Sequence, residues 1–82
     1  MKIYIVSYTS NVCDDLYNEV KVEKSKDKAQ EVFDEYIKGI TEDIHDEKTI
    51  SDIMSYVGKD RMDFGDYMNG NSWYVQINCE EI

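Results

Sequence analysis

The sequence predicts an α+β fold: an antiparallel sheet of three to four strands with one or two helices packed on one face, in the order ββααββ. Three observations carry this prediction. Apolar residues alternate with a period of two at both ends of the chain, they recur every three to four residues in the middle, and an Asn-Gly pair near the C-terminal end marks a hairpin.

Residues 2 to 9 set Ile3, Ile5 and Ser7 against Tyr4, Val6 and Tyr8, with apolar groups on both sides, the pattern of a central strand or of one covered on two faces. Ser10-Asn11 with Asp14-Asp15 reads as a loop. A second alternating run follows, in which Leu16, Asn18, Val20 and Val22 oppose Tyr17, Glu19, Lys21 and Glu23, completing an N-terminal hairpin. Ser25 is placed to cap a helix and Asp27 to complement its positive end. Ala29, Val32, Phe33, Tyr36, Ile37, Ile40 and Ile44 form the apolar stripe of that helix, with Gly39 as a weak point or an end. A shorter pattern of Ile50, Ile53, Met54 and Val57, capped by Asp46 or Thr49 and stopped by Gly58, predicts a second helix. Alternation returns from residue 61. A two-residue turn at Asn69-Gly70 would set Met68 opposite Asn71, Phe64 opposite Val75 and Met62 opposite Ile77. Trp73, Val75, Ile77 and Cys79 then face the core.

A chain of 82 residues holds one domain, residues 1 to 82, and is too short for a multi-domain enzyme. No stretch approaches the length of an apolar membrane span, and the first residues enter a strand directly, so a soluble protein with no targeting segment is expected. Nine basic residues against eighteen acidic ones give a net charge of -9, which disfavours direct binding to nucleic acid or to an anionic membrane and favours a basic partner. Lysine outnumbers arginine eight to one and alanine occurs once, the usage of an AT-rich genome, so a low-GC bacterial host and its cytoplasm are expected. In that reducing compartment Cys13 and Cys79 stay thiols.

The chemical motifs are sparse. His45 is the single histidine and lies in a stretch that reads as a solvated helix end, with no second histidine and no nearby cysteine to complete a zinc site. Asp63-Phe64-Gly65 spells a kinase magnesium motif, but the companion motifs of a kinase do not fit in this length. Asp60, Asp63 and Asp66 are spaced by three, unlike the alternate ligands of a calcium loop. No cofactor, metal site or catalytic residue is therefore called for, and a non-enzymatic protein is expected.

The distribution of acids is the most informative feature. Residues 1 to 38 carry a balance of -2 and residues 39 to 82 a balance of -7. The reading that follows is an acidic surface formed by Glu42, Asp43, Asp46, Glu47, Asp60, Asp63 and Asp66, with Tyr67 and Tyr74 as aromatic anchors beside it, that imitates a phosphate backbone and engages a basic groove. In size, acidity and element order the whole chain resembles the small phage-encoded anti-defence proteins, in particular anti-CRISPR inhibitors of the nucleic-acid-mimic kind. The resemblance implies a non-enzymatic inhibitor that occupies the nucleic-acid-binding surface of a basic effector, such as a CRISPR effector. Two other readings stay open. One is an oligomeric protein that sequesters a nucleotide-like small molecule against Tyr4, Tyr8, Tyr17 or Trp73; the other is an accessory interaction domain. Monomer and homodimer are equally compatible with the sequence.

Overall fold

In a computed structural model, described here for residues 1 to 66 and 70 to 82, the backbone follows the order ββααββ. The strands are β1 (Lys2–Val12), β2 (Asp15–Glu23), β3 (Arg61–Asp66) and β4 (Asn71–Glu81), and the helices are α1 (Lys26–Glu42) and α2 (Glu47–Ser55). The four strands form one antiparallel sheet in the order β2-β1-β4-β3. The central place that two-sided apolar alternation assigns to the first strand is occupied by β1, though only one of its faces is covered.

The first hairpin is tighter than the sequence suggested. Strand pairing runs through Ser10 and Asn11 to Val12 opposite Asp15, leaving Cys13 and Asp14 alone in the turn. Both have positive φ, 53° and 66°, the signs that a type I′ turn requires. The polarity of Ser10 and Asn11 misled the loop assignment, because a strand tolerates polar residues wherever the ladder satisfies the backbone.

The second hairpin departs from the anticipated register. Met62 lies opposite Val75, Phe64 opposite Trp73 and Asp66 opposite Asn71, each two residues from the pairing that a turn on Asn69-Gly70 would impose. A shift of two preserves the facing of every side chain, so the same apolar residues still meet the core. Gly70 does have a positive φ of 71°; Met68 and Asn69, the other residues of the anticipated turn, lie outside the described residues.

Ser25 caps α1 by accepting from the Lys28 N–H, and the helix passes through Gly39 without a break to end at Glu42. Ile44 therefore lies beyond the helix. Asp46 caps α2, accepting from the Lys48 N–H at 3.3 Å and from the Thr49 hydroxyl at 2.7 Å. That helix stops at Ser55, three residues short of Gly58, with Tyr56 as its cap. Both helices cover the same face. Val6, Phe33, Ile53, Met62 and Val75 are fully buried there, and Ala29, Ile37, Ile40 and Trp73 complete the core. Cys79, expected on the core side, is exposed where β4 runs past the helices. The other face of the sheet meets neither helix.

Candidate functional site

Antiparallel pairing brings three chain segments to one end of the molecule: the Cys13-Asp14 turn, the end of β3 with the start of β4, and the connection between α1 and α2. The Cys13 N–H donates to the Asn71 side-chain oxygen at 3.1 Å, tying the first two together. A cleft of about 570 Å3 opens between them. Its floor is Tyr8, Ser10 and Val12 of β1 with Asn71 and Trp73 of β4. Its walls are Ile40 of α1, Asp43, Ile44 and His45 from the connection that follows it, Asp46 and Thr49 from the start of α2, and Asp66 from β3. No lysine or arginine lines it among the described residues.

Beside the cleft, and sharing Tyr8, Ile40 and Asp43 with it, lies a shallower groove of about 240 Å3, bounded by Tyr17, Glu19, Glu35 and Tyr36. Tyr8 stacks on Tyr36 with centroids 4.8 Å apart and meets Tyr17 edge-on at 5.7 Å. The Tyr17 and Tyr36 hydroxyls both donate to the Glu19 carboxylate, the latter at 2.7 Å. These two bonds hold Glu19 below the usual carboxylate range, and Lys21 at 3.5 Å adds to the effect. Burial and the adjacent Glu19 push the Tyr36 hydroxyl well above the ordinary tyrosine value. Asp46 is likewise lowered, by its bonds from Thr49 and the Lys48 N–H. Glu19 therefore keeps its negative charge, and the Tyr17 and Tyr36 phenols stay neutral, over a wider pH range than usual.

The structure brings together part of the set singled out from the sequence. Asp43, Asp46 and Asp66 meet at the cleft, and Glu42 and Glu47 are exposed beside them, Glu42 lying 3.8 Å from Lys38. Asp63 does not join them. It is opposite Tyr74 on the other face of the sheet, 3.4 Å from the Arg61 guanidinium, which also sits 5.7 Å from the Tyr74 ring centroid. Asp60 lies about 20 Å down the strand line from Asp66, at a separate cavity of about 550 Å3 that it shares with Tyr4, Lys26 and Lys59. The physical reason is parity. Positions 63 and 66 are an odd number apart, so one strand must aim them at opposite faces. Tyr67 lies outside the described residues.

Residues that the sequence reading left out of the acidic site include Tyr8, Glu19, Asp14 and Asp15. Tyr8 was recoverable, since it shares its facing with Val6; the contribution of the hairpin tip depends on the β1–β4 pairing and had no local signal. Among the described residues no group of three or more histidine, cysteine or acidic side chains is disposed to hold a metal ion. Comparison of the chain with protein-family models, with curated proteins and with solved structures gave no match.

Proposed function

We propose that this chain is a small non-enzymatic inhibitor of the anti-CRISPR type, which presents its acidic end to the nucleic-acid-binding surface of a basic effector protein. One observation carries the reading. The end of the molecule described above holds Asp14, Asp15, Glu42, Asp43, Asp46, Glu47 and Asp66, against Lys48 and Lys38, the latter paired with Glu42. Carboxylates spread over a rigid frame several ångströms apart can pair with a lysine and arginine array that otherwise holds phosphates. Tyr8 and Ile44, half-buried in the lining of the cleft, supply apolar area against which such pairs lose water. The proposed setting is the cytosol of a low-GC bacterial host; no helix is long and apolar enough to cross a membrane.

The test is capture from a low-GC bacterial lysate at low and at high salt, followed by competition with DNA or RNA for the retained protein. The reading expects a basic nucleic-acid-binding protein that is retained at low salt, released at high salt, and freed from nucleic acid by the wild-type chain. Asp43→Lys with Asp66→Lys should abolish retention, while Asp63→Lys on the opposite face should leave it. Retention undiminished by the first pair, or lost equally with Asp63→Lys, would sink the assignment to this end.

A further inference from the structure

The uncovered face of the sheet is unlike the rest of the surface. Strand parity and register put Ile5 of β1 directly opposite Val22 of β2 and Ser7 opposite Val20, with Ile3 one step further along β1, while Leu16 lies opposite Asn11 at the other end of the pair. The three β2 residues are 58–68% exposed. In a chain with net charge -9, only Arg61, Asp63 and Glu80 among the strand residues of this face are charged, and the first two are paired with each other. The remainder is apolar side chains, hydroxyls and amides, including Thr9 donating to Asn18 and Gln76 donating to Asn78.

We propose that this face is an interface with a second copy of the chain, giving a two-fold dimer in which the two sheets stack. Charge selects this occupant. A basic partner is drawn to the acidic end and finds almost nothing to pair with here, whereas two chains of charge -9 can approach closely only through surfaces that carry almost no net charge. The ends of the sheet fix the orientation. Opposite the acidic end Lys2, Lys24, Lys26 and Lys28 offset Glu23, Asp27, Glu80 and Glu81, so a two-fold axis crossing the strands lays the acidic end of each copy over an end of the other that is nearly balanced in charge, and keeps the two acidic ends apart. Strand rise and spacing give the sheet a footprint of about 600 Å2 per copy, and the resulting burial of about 1,200 Å2 reaches the range of specific interfaces. Sheets stacked in this way lie about 10 Å apart, a separation that Ile, Val and Leu side chains fill. The surface is separate from the acidic cleft, so the dimer leaves both acidic ends open to partners.

Sedimentation equilibrium of the full chain between about 1 and 300 µM, the range that brackets weak specific association, tests the proposal. The wild type should reach twice the monomer mass and hold it in high salt. Val20→Lys with Val22→Lys should weaken the dimer at least about 100-fold, since each buried lysine would lack a counter-charge, while far-UV circular dichroism and a cooperative melt show the fold intact. Leu16→Lys at the end of the strand is a second variant that keeps the test open if the pair fails to fold, and should weaken association in the same direction. Lys38→Glu on α1 should leave the dimer unchanged. A wild type that stays monomeric at the highest concentration, whether the face is bare or takes another partner, overturns the proposal. So does a dimer that survives both face variants.

Discussion

Cys13 and Asp14 hold left-handed backbone, where a Cβ crowds the following carbonyl, a cost that glycine lacks and that asparagine offsets through local hydrogen bonds of its short side chain. Cys13→Asn with Asp14→Gly keeps the two-residue turn and relieves that crowding, so the double variant should be more stable by about 1 kcal/mol, read as a higher denaturant midpoint. Glu19 gives a second test at this scale. Its pKa is lowered in the folded protein by the tyrosine hydroxyls, so the carboxylate contributes stability that is present above the ordinary glutamate range and lost as pH falls through the lower folded value. Glu19→Gln should therefore melt below wild type at neutral pH, and the gap should close in acid. A gap that persists at low pH would assign the effect to shape instead of charge.

Among the elements, α1 shows how a local rule is overruled. Gly39 is a reason to end a helix, yet helical hydrogen bonding and the burial of Ile37 and Ile40 carry the helix past it. A Cβ built there meets nothing within 4 Å, so Gly39→Ala should stabilise the protein by roughly 0.5–1 kcal/mol, visible as a raised melting temperature. The strands and helices were legible from period alone, as was the Ser25 cap. The register of β3 on β4 was not, since Met62 and Phe64 alternate identically against Trp73, Val75 and Ile77 in either of two pairings. The Asn-Gly pair pulled the choice toward a two-residue turn, while in the two-residue turn of the first hairpin Asp14 is a good turn former but Cys13 is not, and the polar Ser10 and Asn11 blurred where the turn begins. The acidic site was half legible. Its helix-end members are adjacent in the chain, but Asp66 joins them and Asp63 leaves them only because of the strand parity between them.

For the whole molecule, the charge imbalance read along the chain becomes an imbalance along the strands, with a net excess of acids at one end and lysines that offset the acids at the other. Repulsion within the acidic end opposes folding and is screened by salt. The melting temperature should rise by several degrees between low and near-molar sodium chloride, and Asp43→Lys with Asp66→Lys should flatten that dependence. The two thiols lie on opposite ends as well. Cys79 pairs with Tyr4, nine residues from Cys13 along the same line of strands, which is about 30 Å at strand rise and far beyond the span of a disulfide. The neighbourhood of β1 and β4 has a further consequence, in time. The first and last strands are partners, so the centre of the sheet closes by bringing together residues some sixty positions apart, at an entropy cost of about 3–4 kcal/mol for a loop of that length. The first hairpin and both helices can form early from local contacts, but Val6 and Phe33 have no complete core until Trp73 and Val75 arrive. A chain still being synthesised would carry its apolar surface open until β4 is released, and folding would begin in earnest only with the last strand.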